Sequence, residues 1–244
     1  MPKSHALAKV FAMSLSEHFH QISKIVLPER CLRCQTLGSL MCDACVAELH
    51  FVTGPQCLCC GVPFGEHGGH HRCSRCENDP PFFDEHRALF AFNQASKDLI
   101  HTLKYQNGFQ VRRFFSKIIK NHPLGHFDVD FVMAVPLHRK RLAQRGYNQS
   151  ELLAKAWADF MKKPVKSGFI RVKQTRSQTG LNRKQRFRNL QNAFAVSSCT
   201  PLQGKRILLV DDVLTTGATL NMAAKALKNA GAKAVLATSL AMVV

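Results

Sequence analysis

Residues 207–220 read ILLVDDVLTTGATL, and this run decides the fold. Ile207, Leu208, Leu209 and Val210 form a strand with no polar face, the pattern of a strand covered on both sides in a parallel sheet. The strand ends at two adjacent acids, Asp211 and Asp212. After Val213 and Leu214 comes Thr215-Thr216-Gly217-Ala218-Thr219, which opens a helix over 218–229 that Gly231 ends. A phosphate suits such a helix start. Backbone N–H groups point at it, Thr215, Thr216 and Thr219 add hydroxyl donors, and Gly217 permits close approach. Asp211 and Asp212 stand at the carboxyl end of the strand, where an α/β sheet binds its ligands, and can accept hydrogen bonds from ribose hydroxyls.

Outward from this run, the sequence alternates strands with amphipathic helices. Strand 206–211, helix 218–229 and strand 234–242 close the chain, and 130–136 (DFVMAVP) reads as another buried strand. Helices are expected over 97–105, 111–119 and 150–161, the last with Leu152, Leu153, Ala156, Trp157 and Phe160 on one face. Strands separated by helices of this length imply a parallel sheet with right-handed crossovers. Residues 171–190 are polar and without period, and 80–84 (PPFFD) read as a linker before RALFAF at 87–92.

Residues 1–30 form an expected helical arm, with Leu7, Val10, Phe11, Leu15, Phe19 and Ile22 in a weak pattern that stops at Pro28. Residues 31–79 read as a satellite module, too poor in apolar residues to close a core without a staple, and 85–244 as the α/β domain. The staple is visible. Four C-x-x-C units, Cys31/Cys34, Cys42/Cys45, Cys57/Cys60 and Cys73/Cys76, supply ligands for two closed tetrahedral zinc sites of a structural kind. Spacing leaves sequential and interleaved pairing open, and loop closure favours the sequential one. Cys59 and Cys199 remain as small, partly buried thiols, and His67, His70 and His71 as solvated loop residues.

No export signal or run of 18 apolar residues is present, which favours metal ligands over disulfides and a cytoplasmic protein without a membrane span. The net charge is +18. Residues 137–191 hold fifteen Lys and Arg against Glu151 and Asp159, thirteen of those eighteen net charges. Such a surface points to a polyanion, nucleic acid first, and Tyr147, Phe169 and Phe187 interleave the cations in a way that suits base stacking, with core packing the expected role of at least half of these rings.

The run VDDVLTTGAT at 210–219 resembles the signature of type I phosphoribosyltransferases that binds phosphoribosyl pyrophosphate (PRPP). The resemblance implies that Asp211 and Asp212 hold the 2- and 3-hydroxyls while Thr215, Thr216, Gly217, Ala218 and Thr219 hold the 5-phosphate, with magnesium accompanying PRPP. Residues 135–141 resemble the family's pyrophosphate loop, which puts Arg139, Lys140 and Arg141, with Arg145, on pyrophosphate or DNA phosphate. Residues 171–190 resemble the mobile loop that closes over substrate, carrying Arg176, Arg183, Lys184, Arg186 and Arg188.

The order of zinc ribbon, LIHTLKY, VPLHRKRLAQRGYNQ, QTRSQTGLNRKQRFRNL and VDDVLTTGAT is similar along residues 28–242 to the ComF/GntX family. That similarity implies a type I phosphoribosyltransferase fold behind a double zinc ribbon. It also implies a role with single-stranded DNA in natural transformation, with a helicase-like competence protein as partner. The alternative is an active phosphoribosyltransferase of nucleotide or cofactor metabolism, its acceptor held by a hood built from 87–92 and the mobile loop.

Overall fold

The computed structural model describes residues 29–65, 68–106, 108–121, 127–174, 183–198 and 200–244. The expected helical arm therefore lies, apart from Glu29 and Arg30, outside the described residues. Strands β1 (Glu85–Ala91), β2 (Phe131–Ala134), β5 (Arg206–Leu214) and β6 (Ala234–Met242) form a parallel sheet in the order β1-β6-β5-β2. β5 is central, with Leu208 opposite Val132 on one side and Leu236 on the other. Its side chains alternate between two cores. Leu208 and Val210 face helices α3 (Gln94–Tyr105), α4 (Gly108–Asn121) and α6 (Gln149–Met161), while Ile207 and Leu209 face α8 (Ala218–Asn229). Both faces are covered, which is why this strand has no polar position between Arg206 and Asp211.

The helices start where their sequences provide caps. Asn93 and Ser96 make a reciprocal capping box at α3, and the Asn148 side chain accepts from the Ser150 N–H at α6. α8 differs. Its cap is Gly217, at φ 79° and with no capping side-chain bond of its own.

The cysteine-rich segment is a duplicated knuckle. Cys31 N–H donates to Thr36 O (2.8 Å) and Cys57 N–H to Val62 O (2.9 Å), while antiparallel bridges join Arg30 to Leu37 and Gln56 to Pro63. Short helices α1 (Asp43–Ala47) and α2 (Ser74–Asn78) begin directly after Cys42 and Cys73. At the equivalent left-handed position the first knuckle has Gln35 and the second Gly61. A Cβ on Gly61 would lie 2.3 Å from the His86 carbonyl oxygen, so only glycine fits there.

This segment is more than a satellite. Leu40, Met41 and Leu49 share a core with Leu99, Leu103 and Phe90, and Cys57, Cys59 and Val52 share the opposite core with Ala88 and Leu209. Val52 N–H donates to Leu89 O (2.9 Å), Ala91 N–H to His50 O (2.8 Å) and His86 N–H to Cys59 O (2.7 Å). The knuckles thus occupy the outer edge of β1, which would otherwise expose unpaired backbone groups.

Three expectations are corrected. The 87–92 run is not a hood over the site but part of β1, paired in parallel with β6. Residues 80–84 are docked: Phe83 is buried, the Asp84 N–H donates to Val235 O (2.9 Å), and its carboxylate pairs with Lys228 (2.7 Å). Within 171–190, Arg183–Leu190 forms helix α7. Phe187 and Leu190, three residues apart, are the apolar side chains with which it packs beside α8, so tertiary contact supplies what the polar sequence does not show. The remaining strands, β3 (Phe169–Arg171) and β4 (Phe194–Val196), pair antiparallel on either side of that segment. A short helix, α5 (Arg139–Arg145), follows β2.

Candidate functional site

Cys31, Cys34, Cys42 and Cys45 form one sulfur cluster, and Cys57, Cys60, Cys73 and Cys76 another, with the Sγ atoms of each within 4.8 Å of one another. The pairing is sequential. Cys34 and Cys42 are 3.5 Å apart and Cys60 and Cys73 3.8 Å, close to the sulfur separation of about 3.8 Å in a zinc tetrathiolate. Each set fills a tetrahedron, so both sites are structural. Cys59 is buried against Phe83 O and joins neither set, His71 stacks on Phe64 at 4.0 Å, and His70 is hydrogen-bonded to the Gln56 backbone. Cys199 and His67 lie outside the described residues.

The second site is a cavity of about 660 Å³ at the carboxyl end of β5. Asp211 and Asp212 sit on its floor, and Thr215 and Thr219 on its wall. Both acids are buried. Asp211 Oδ1 accepts from Ser150 Oγ (3.0 Å) and from the Asp212 N–H (2.9 Å). Asp212 Oδ2 lies 2.6 Å from Lys104 Nζ and accepts from Gln149 Nε2 (3.4 Å). Burial, with the neighbouring Asp212 charge adding to it, pushes the Asp211 carboxyl up to about 7.

Each residue of the motif at 145–149 has a task. Arg145 donates to Gln149 Oε1 (2.8 Å), which places the Gln149 amide at Asp212. Tyr147 OH donates to Leu103 O (2.6 Å), Asn148 Nδ2 ties the helix start to Val135 O (3.0 Å), and Gly146 takes the left-handed turn at φ 76°.

The phosphate loop is braced from two sides. Arg186 of α7 donates to Thr215 Oγ1 (2.9 Å), and Arg75, next to the zinc ligand Cys76, donates to Thr216 O (3.0 Å). Thr216 Oγ1 accepts from the Ala218 N–H at 3.4 Å.

Of the cations expected at the site, Arg141, Arg145 and Arg186 line the cavity. Arg139 and Lys140 are exposed at the start of α5, and Arg188 is exposed on α7. Arg183 and Lys184 open that helix, and Arg176 lies outside the described residues. Sequence reasoning gave no role to Lys104, Gln149, Ser150 or Arg171, all of which line the cavity. LIHTLKY carries Lys104 as a motif without a role, and Arg171, half-buried on β3, lies in a stretch read as loop.

A larger groove of about 960 Å³ lies between α7, α8 and Phe82, but charged groups do not converge on it as they do on the β5 cavity.

A parallel α/β domain with paired acids and a Thr-Gly helix start, behind two tetrathiolate sites, defines a phosphoribosyltransferase-type protein with a double zinc ribbon. The family model of the phosphoribosyl transferase domain matches residues 147–242, and that of the double zinc ribbon domain matches 22–77. The chain is 30% identical to competence protein F of Haemophilus influenzae over 87% of its own length and 96% of that protein. It is 31% identical to competence protein ComFC of Streptococcus pneumoniae over 86% and 99%, and 32% identical to the DNA utilization protein YhgH of Escherichia coli K12 over 73% and 80%. The chain belongs to the ComF family of competence and DNA-utilisation proteins.

Proposed function

We propose that this chain binds PRPP, with magnesium, in the β5 cavity and handles single-stranded DNA in the cytosol during natural transformation, alongside a helicase-like competence protein. The observation that carries the reading is the composition of the cavity. A helix start capped by Gly217 and two buried acids at its base face five cations: Lys104, Arg141, Arg145, Arg171 and Arg186. The helix start suits the 5-phosphate, the acids suit the ribose hydroxyls, and the arginines suit pyrophosphate. Magnesium would lie among the pyrophosphate oxygens and offset their charge, with the carboxylates of Asp211 and Asp212 as hard oxygen ligands within reach through water. With 87–92 built into the sheet, the acceptor hood of a transferase loses its expected source, which favours the DNA-handling reading.

The DNA part is tested by titrating labelled single-stranded DNA across salt concentrations. Each phosphate neutralised contributes about 0.7 to the fall of log affinity with log salt. Changing Arg183, Lys184 and Arg188 to Glu should flatten that slope by roughly two units. Arg186 is spared because it holds Thr215. No measurable affinity of the wild type at about 50 mM salt would overturn the DNA reading and leave the transferase one.

A further inference from the structure

The aromatic residues expected to stack on bases are not the ones the fold presents. Phe169 is buried and stacks on Phe194 at 5.5 Å, Phe187 is half-buried between α7 and α8, and Tyr147 spends its hydroxyl on Leu103 O. Two other rings are exposed, and one of them, Tyr105, lines the β5 cavity. Tyr105, at the end of α3, is 61% exposed, and Phe109, in the first turn of α4, is 64% exposed.

These rings belong to one continuous surface. The Arg145 guanidinium lies 4.9 Å over the Tyr105 ring and donates to its hydroxyl (3.2 Å). His101 lies 5.0 Å from Tyr105 in a tilted arrangement, and Phe109 lies 6.4 Å from Tyr147, two residues from Arg145. The turn that carries Phe109 is tightly packed: a Cβ on Gly108 would meet both the Leu152 side chain and the Tyr147 ring at 2.7 Å. Phe109 is therefore held outward by a packed base, and together with Tyr105 it gives this face two large exposed rings.

We infer that Tyr105 and Phe109 form a stacking platform for the bases of single-stranded nucleic acid, with Arg145 and Arg141 taking the adjoining phosphates. The partner follows from the chemistry. Exposed rings interleaved with guanidinium groups bind unpaired bases whatever their sequence, and residues 137–191, which contribute both arginines, carry thirteen net positive charges. The platform adjoins the cavity through Tyr105, which lines both. The inference rests on the nucleic-acid reading above and assigns the bases to a surface separate from α7.

The test compares binding of a fluorescent oligothymidylate of about 20 nucleotides with its abasic counterpart, which keeps the phosphates and lacks the bases. The wild type should prefer the base-bearing strand by about tenfold or more. Phe109→Ala should lose most of that preference while keeping its melting temperature, its affinity for PRPP and its salt slope, since Phe109 lies outside the cavity lining; Phe109→Trp should restore it. Equal binding of the two strands by the wild type, or an unchanged preference in Phe109→Ala and in Tyr105→Ala, overturns the platform and leaves the nucleic-acid reading standing. Binding of neither strand overturns both.

Discussion

Removal of zinc should unfold the α/β domain together with the ribbon, in one cooperative loss of secondary structure. A separate module would melt alone and leave the sheet intact. Here the first knuckle contributes Leu40, Met41 and Leu49 to the core beneath α3 and α4, and the second contributes Cys57 and Cys59 to the opposite core. The backbone between them satisfies the edge of β1. Binding a structural zinc ion is worth about 10–16 kcal/mol in small domains, and a whole domain of this kind has only about 5–15 kcal/mol of net stability. Losing either ion therefore consumes most of the margin. Cys31→Ser and Cys57→Ser should each lower the melting temperature by tens of degrees, roughly, or abolish soluble expression. Cys57→Ser should in addition weaken the phosphate loop, since Arg75 reaches Thr216 from that knuckle. Circular dichroism with a chelator decides the matter. Loss of a small ribbon signal followed by an unchanged melt of the sheet would show that the two units fold independently.

The second large effect concerns the acids. Asp211→Asn with Asp212→Asn should abolish the rise in melting temperature that PRPP with magnesium gives the wild type. Hydrogen bonds to charged groups contribute about 1.5–3 kcal/mol each, so losing two carboxylates corresponds to a fall in affinity of at least roughly a hundredfold. The fold should survive. Asp211 is ionised against its surroundings: burial holds its carboxyl at about 7, above the ordinary 3.8. In the unfolded chain the group ionises near its ordinary value, so its contribution to stability falls as pH rises from about 4 to about 7 and is flat above that. Asp211→Asn alone should accordingly raise the stability of the empty protein at about pH 8, with a smaller gain at about pH 6. Ligand binding should show the opposite trend, because a carboxylate that accepts from hydroxyls must be ionised, and wild-type affinity should rise through about pH 7. An Asp211→Asn protein that is less stable at both pH values would contradict this account of the acid.

The parts of the molecule that could be read from the sequence are those in which one local rule suffices. The apolar strand and the Thr-Gly helix start at 207–220 are marked locally, although β5 runs on through both acids to Leu214 instead of ending at them, and β6 and α8 run between the residues expected. Cysteine spacing leaves sequential and interleaved pairing open with loop closure favouring the first, and the sulfur clusters show the sequential one. What could not be read depends on distant partners. α7 is nearly all polar and forms because Phe187 and Leu190 meet α8. The 87–92 run has the composition of any short apolar strand, and only pairing with β6 tells an edge of the sheet from a hood. Lys104 became part of the site because the end of α3 faces Asp212, more than a hundred residues away in sequence. The aromatics likewise depend on packing, and the core is the expected place of at least half of Tyr147, Phe169 and Phe187. Sequence showed rings among cations, and packing decided that Phe169 goes inside while Tyr105 and Phe109 face water.

The central claim is that the β5 cavity takes a phosphoribosyl ligand, and calorimetric titration of the zinc-loaded wild type with PRPP and magnesium at about pH 8 tests it most directly. One saturable site per chain is expected, lost when Asp211 and Asp212 are changed to Asn and unchanged when exposed Phe109 is changed to Ala. Absence of binding in the folded, zinc-loaded protein, or binding of equal strength in the Asp211→Asn/Asp212→Asn protein, would contradict it.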